Sequence, residues 1–184
     1  MSVPDTPFWI YSLATYGQEN VAAECLVLQD RFGLDVNLIL LCCWLGSRGT
    51  VLDRAEADQA CALAREWAVP VITPLRTVRR HLKTRIADKH ISRLRQQLAT
   101  LELEAEKIQQ SRLYEHFGAL PSDPDTQPPQ AAARNLAHYL AALGLPPKPP
   151  LRETLVKLLA AIFPGTPEAD IVSRLAVSAT DPTI

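Results

Sequence analysis

An uninterrupted run without proline or glycine, residues 75–117, constrains the fold of this chain most strongly. It predicts one long helix over 74–117, because Thr73 can cap its start, Pro74 suits the first helical position and Gly118 suits a left-handed exit. At about 1.5 Å per residue such a helix would be about 65 Å long. A small domain cannot cover a rod of that length. We therefore expect part of it to project or to pack against a partner.

The apolar residues before and after this run recur at three- and four-residue intervals and predict further, shorter helices. Residues 36–45 are apolar on nearly every side, which predicts a buried central helix, with a buried strand as the alternative. We predict an all-α protein with a compact helical domain over 1–118 that includes the long charged helix. A proline-rich linker over 119–130 and a small, variable helical tail over 131–184 would follow.

The apolar stripes of the long helix run in two registers that do not join smoothly. The first ends at Ile86, and the second begins at Ile91 with a heptad-like spacing of four and three. This stutter suggests that the first half packs on the core and that the second half packs on the C-terminal helices or on a second copy. The far half is acidic where the near half is basic, so an antiparallel homodimer is one interpretation and a solvated charged face is the other.

Charge is segregated along the chain, although the formal net charge of the 184 residues is only −1. Residues 1–70 sum to −5, whereas residues 71–95 sum to +7. No apolar run is long enough to cross a bilayer and no secretory signal is evident, so we expect a cytoplasmic protein that does not enter the membrane. The four cysteines have neither a Cys-x-x-Cys pair nor histidines at zinc spacing, which predicts buried, reduced thiols.

The basic half of the long helix is the first candidate functional surface. Cations in the first turns of a helix oppose its dipole, so a purely helix-stabilising role is unfavourable. Three interpretations remain: pairing with the acidic N-terminal helices of the same chain, docking of an acidic protein, or contact with nucleic-acid phosphates. The candidate residues are Arg76, Arg79, Arg80, Lys83, Arg85 and Lys89.

A polar cluster at the junction of two apolar helices is the second candidate site. It comprises Gln29, Asp30, Asp35 and Asn37. In one interpretation it is a polar knot that fixes the angle between the helices, with Asp35 as a helix N-cap and a compensating cation or hydrogen bond for Asp30. In the other, the two aspartates hold a divalent ion while the nearby arginines bind a phosphate or diphosphate.

Four segments resemble a family of small proteobacterial proteins that is classed as a domain of unknown function. They are FW at 8–9, CLxLQD at 25–30, GxDVNLxLL at 33–41 and PLRxVRRxLK at 74–83. The resemblance covers about residues 4–117 and does not extend to the C-terminal tail. It implies a bacterial, cytoplasmic protein and no particular reaction.

Our functional prediction is a non-enzymatic interaction protein that docks an acidic partner protein through its basic 76–95 surface. We assign no catalytic residue, cofactor or resident metal. A metal-dependent enzyme that recognises phosphate or diphosphate is the first alternative, and a nucleic-acid-binding protein is the second.

Overall fold

The computed structural model describes residues 3–176. Over these residues the chain is all-α and contains no strand, which confirms the predicted fold class. The last part of the predicted helical tail, 177–184, lies outside the described residues. The helices are α1 (Pro7–Tyr16), α2 (Val21–Phe32), α3 (Val36–Ser47), α4 (Arg54–Trp67), α5 (Thr73–His81), α6 (Lys89–Phe117), α7 (Pro128–Ala142), α8 (Leu151–Ile162) and α9 (Glu168–Ala176).

Helix α3 is the centre of the core, as its composition predicts. Every residue from Asn37 to Gly46 is buried. Helix α7 lies directly against it, and a Cβ atom on Gly46 would come within 2.4 Å of the Ala132 backbone nitrogen. Only glycine allows the two helix backbones to approach so closely at this point.

The C-terminal helices belong to this same core rather than to a separate small tail. Buried residues of α7, α8 and α9, such as Leu136, Leu158 and Leu175, form one hydrophobic cluster with those of α2 and α3. Part of the segment predicted as a linker is also hydrogen-bonded to the helical domain, because the Asp123 N–H donates to the Gly49 carbonyl at 3.2 Å. The predicted division at 119–130 therefore does not separate two cores in the described residues.

The predicted single helix over 74–117 is wrong in its first part. The chain leaves helical geometry after a 3₁₀ turn at Leu82–Arg85, and α6 starts afresh with Asp88 as its N-cap. The Asp88 carboxylate accepts hydrogen bonds from the His90 and Ile91 N–H groups. Folding back here lets the cations of α5 reach carboxylates on α6, and the break falls where the two apolar registers fail to join. Helices α5 and α6 thus form an antiparallel hairpin.

The start of α5 also differs from the prediction. Residues Ala68–Ile72 form a π-helical turn that joins α4 to α5, rather than an extended connector. Pro70 lies in this turn, where the wider helix accommodates a residue that has no N–H to donate. Thr73 therefore continues a helix instead of capping one, and Gly118 leaves α6 with a φ of −67° rather than in the left-handed region.

Candidate functional site

The base of the hairpin, where α5 meets the middle of α6, holds a network of ion pairs. Arg76 donates from Nε to Glu102 at 2.8 Å and from Nη2 to Glu106 at 2.7 Å. Arg79 donates from Nε and Nη2 to the two oxygens of the same Glu102 carboxylate. Glu102 is 5% exposed. Two predicted site residues therefore already have partners within the chain.

The pKa values of the two carboxylates in this network are shifted in opposite directions. Burial alone would raise the pKa of Glu102, but the hydrogen bonds from Arg79 and Arg76 outweigh it and hold this pKa below the ordinary value. Burial raises the pKa of Glu106, and the single contact with Arg76 offsets that effect only in part. The arginine hydrogen bonds therefore favour the ionised form of Glu102, whereas burial disfavours the ionised form of Glu106.

Arg80 pairs with Asp30 at the C-terminal end of α2. The contact between Nη2 and Oδ1 is 2.5 Å, and about half of each side chain is exposed. Gln29 also donates to this carboxylate, at 3.3 Å. Hydrogen bonds from Arg80 and then Gln29 lower the pKa of Asp30. Asp30 therefore has both a cation and a hydrogen-bond donor, where the sequence predicted one or the other.

Asp35 and Asn37 lie in a second network, which joins the start of α3 to α6 and α7. The Asp35 side chain caps α3 by accepting from the Asn37 N–H at 2.8 Å, as predicted, and its other oxygen accepts from Gln109 at 2.9 Å. The Asn37 amide donates to Gln109 and accepts from Gln110 at 2.8 Å. The Tyr139 hydroxyl accepts from the Asp35 N–H at 2.9 Å. Asp35 and Asn37 therefore lie in one polar knot, whereas Gln29 and Asp30, the other two residues of the predicted cluster, contact each other and Arg80 outside it.

The contacts of Asp30 and Asp35 do not favour the metal interpretation. Burial raises the pKa of Asp35, and hydrogen bonds from Gln109 and the Asn37 backbone oppose this without reversing it. Asp30 is engaged by Arg80. Within residues 3–176, no group of three or more His, Cys, Asp or Glu side chains is placed to hold a metal ion.

Sequence reasoning missed the residues that complete both networks. It sought counter-ions for the arginines in the acidic N-terminal helices, but Glu102 and Glu106 come from α6, and only Asp30 comes from the N-terminal part. It also missed Gln109 and Gln110, which interrupt the apolar pattern of α6 as an adjacent pair. Two buried amides on an otherwise apolar stripe were a usable signal for a polar partner on α3.

The remaining predicted cations lie at the tip of the hairpin. Lys83, Arg85 and Lys89 are exposed, and none of them forms an ion pair with a residue of the described chain. Asp88, the one acidic residue between them, is engaged as the α6 N-cap. The predicted basic surface therefore divides into a paired base and an unpaired tip.

Residues of the two networks line two cavities. The larger, of about 730 Å³, lies between the start of α3, the π-helical turn, α6 and α7, and Asp35, Gln109 and Tyr139 line it. The smaller, of about 360 Å³, lies between α1, α2, α3, α5 and α6. Asn37 and Arg76 line both. Both volumes fall in the range of small-molecule sites.

The cysteines are free thiols without signs of activation. Cys25, Cys42 and Cys43 are buried and Cys61 is partly buried. Burial raises the pKa of Cys25 to about 12 and that of Cys61 to about 11. These thiols are protonated near neutral pH, so they are poor nucleophiles and poor metal ligands.

Comparison with known proteins identifies the family to which residues from α1 to near the end of α6 belong. The model of a family described as "Protein of unknown function (DUF2390)" matches residues 7–113. The chain belongs to this family. No curated protein and no solved structure matches it. The match confirms the resemblance inferred from the sequence motifs, and the DUF2390 segment contains both networks except for Tyr139, which lies on α7.

No helix among residues 3–176 is both long enough and apolar enough to cross a membrane.

Proposed function

We propose that this protein is a non-enzymatic interaction protein that docks an acidic surface of another protein on the tip of the α5–α6 hairpin. The observation that supports this most is the absence of acidic partners for Lys83, Arg85 and Lys89 within the described chain. Like charges that crowd one turn repel each other, so an acidic partner would relieve that repulsion. The docking surface is narrower than the sequence predicted, because Arg76, Arg79 and Arg80 are engaged within the chain.

The apolar residues of the tip favour a protein over a nucleic acid as the partner. Ile86 and Leu94 are 55% and 48% exposed beside the unpaired cations. A surface that mixes exposed aliphatic and basic side chains suits a protein interface, whereas a phosphate backbone offers nothing apolar to cover Ile86. The enzyme alternative has less support, because the carboxylates proposed as its metal ligands are engaged by protein groups.

The test is an affinity purification from the native cells with a photo-crosslinking residue at Ile86, with and without nuclease. The tip variant Lys83→Glu/Arg85→Glu/Lys89→Glu is compared with Arg65→Glu/Lys148→Glu/Lys157→Glu, which reverses three exposed cations elsewhere. We expect a nuclease-resistant crosslinked partner that the tip variant loses and the control keeps. Loss of the partner from both variants, or from neither, would contradict docking at the tip.

Two other outcomes would redirect the function. A partner that disappears with nuclease treatment would identify nucleic acid as the ligand. A crosslink between two copies of this chain would identify a homodimer, for which Leu94 and Leu101 offer an exposed stripe on α6. Sedimentation velocity of the purified protein then distinguishes the homodimer from a monomer, with Leu94→Glu as the variant expected to separate the copies.

The arginines at the base are unsuitable for this test. Reversing Arg79 would place a third carboxylate beside Glu102 and Glu106 and would destabilise the fold, so a loss of binding would not be informative. The tip variant avoids this problem because the side chains it changes form no ion pair within residues 3–176.

A further inference from the structure

The smaller cavity is an open groove with apolar walls. Leu13, Leu26 and Leu103 line it, and they are 54%, 46% and 49% exposed. Trp9 and Tyr16 extend the apolar wall along α1. Three large aliphatic side chains that remain half-exposed around one groove of about 360 Å³ are typical of a binding site for an apolar group.

Two buried polar side chains that line this groove lack partners in the described part of the chain. Ser12 and Gln110 are 3% and 2% exposed, and neither the Ser12 hydroxyl nor the Gln110 carbonyl oxygen has a hydrogen-bond partner there. Leaving such a group unpaired costs about 1–3 kcal/mol. In the larger cavity, by contrast, the side chains of Asp35 and Gln109 are already hydrogen-bonded to each other. The smaller groove therefore points more clearly to a ligand.

Arginines line the side of the groove that α5 forms. Arg76, Arg79 and Arg80 use Nε or Nη2 for their carboxylate partners, and within residues 3–176 their Nη1 groups donate to nothing. Against these three guanidinium groups the groove lining contains two carboxylates, Glu102 and Glu106. The Arg80 pair with Asp30 is half-exposed, so it competes weakly with another anion.

We propose that this groove binds a single-chain amphiphile with an anionic head group. The chain would lie against Leu13, Leu26 and Leu103, and the head group would accept hydrogen bonds from Arg79 and Arg80. A fatty acid and an alkyl phosphate share this chemistry. The proposal is independent of the docking function at the hairpin tip, which uses other residues.

The first experiment titrates the full chain with dodecanoate and, separately, with dodecyl phosphate, both below their micelle concentrations, by calorimetry. We expect saturable binding of one ligand per chain, and the tighter of the two probes shows whether a carboxylate or a phosphate head group is preferred. Leu103→Glu should weaken binding by at least about tenfold. Ile10→Glu changes an exposed aliphatic residue of α1, 58% exposed, outside the groove lining, and it should leave affinity within about twofold.

The second experiment tests the head group with a chain of the same length. Dodecyltrimethylammonium should bind at least about tenfold more weakly than the anionic probes, and Arg80→Ala should reduce this difference. Circular dichroism checks the fold of each variant, and Leu13→Glu replaces Leu103→Glu if the latter does not fold. The assignment is overturned if neither anion binds saturably, if the groove variant binds as the wild type does, or if the cationic amphiphile binds equally well.

Discussion

The base and the tip of the α5–α6 hairpin are both basic, but only the cations of the base are paired with carboxylates of the described chain. At the base, Arg76 and Arg79 share the buried carboxylate of Glu102 and hold α5 against α6. At the tip, Lys83 and Lys89 have no acidic partner among the described residues. Cations that are adjacent in sequence can thus stabilise the fold or remain available to a partner. Which role each cation takes depends on the residues of the helix opposite it in the hairpin.

This difference predicts that stability is concentrated at the base. The base combines buried carboxylates with guanidinium groups that several hydrogen bonds fix in place, whereas the tip is exposed to water and screened by salt. Substitutions at the base should therefore change the free energy of unfolding, and substitutions at the tip should change binding.

The largest effect is expected for Glu102→Gln. This change keeps the shape of the side chain but leaves two partly buried guanidinium groups without their common anion, which should lower the free energy of unfolding by about 2–4 kcal/mol. Urea denaturation measures the change. The control is Glu104→Gln, an exposed position on the same helix, which should stay within about 0.5 kcal/mol of the wild type. Equal effects at both positions would show that the base is not specially stabilised.

The second-largest loss of unfolding free energy is expected at the polar knot beside the base. Gln109→Met keeps the side-chain length but removes the donor to Asp35 and the Ala64 carbonyl and the acceptor for Asn37. We expect a loss of about 2 kcal/mol, because polar groups of α3 and α4 lose their hydrogen-bond partner in a buried setting. Gln97→Met, at an exposed position of α6, is the matched control in the same urea experiment. A wild-type free energy for Gln109→Met would show that water or another side chain replaces the amide.

The third prediction uses pH to separate the two carboxylates of the base. Because the pKa of Glu102 is lower in the folded than in the unfolded protein, its contribution is complete above the ordinary value of 4.5 and is lost as the pH falls through the folded value. The stability difference between wild type and Glu102→Gln should therefore shrink on acidification from about pH 7 to about pH 3. Each unit of pKa displacement corresponds to about 1.4 kcal/mol.

Glu106 should give the opposite sign. Its pKa is raised in the folded protein, so ionisation favours the unfolded chain as the pH rises from the ordinary value of 4.5 to the folded value. Over that interval, Glu106→Gln should gain stability relative to the wild type. If both variants followed the same trend in urea denaturation across pH, the two carboxylates would not be in the distinct environments described here.

Much of the fold could be predicted from local signals, whereas its long-range pairings could not. The all-apolar character of α3 and the cap at Asp35 depend on neighbouring residues, and the structure bears them out. The break at Asp88 does not follow from helix propensity, since no proline or glycine marks it. It is favoured by contacts between α5 and α6 that exist only after the chain folds back. The place of α7 in the core depends likewise on Gly46 and the small residues opposite it, which a sequence pattern does not pair.

The candidate site divides in the same way. The cap role of Asp35 and the need of Asp30 for a cation followed from helix-end electrostatics alone. The identity of that cation, Arg80, and the glutamines that complete the knot required three-dimensional proximity. The charge pattern indicated a basic candidate surface over 76–95 but not which of its cations are paired within the chain. Because the structure shows those pairs, the proposed docking surface is the tip and not the whole basic surface.

The smallest effect is expected where the base meets solvent. Asp30→Asn removes the partner of Arg80, but both side chains are about half exposed, so the free energy of unfolding should fall by less than about 1 kcal/mol. The effect should also disappear at about 1 M salt, where charges are screened within about 3 Å, whereas the loss in Glu102→Gln should persist because Glu102 is buried. Urea denaturation of both variants at low and high salt measures this. A salt-independent loss at Asp30 as large as that at Glu102 would contradict this prediction. It would mean that the Arg80–Asp30 pair at the end of α2 belongs to the same stabilising ion-pair network as Glu102.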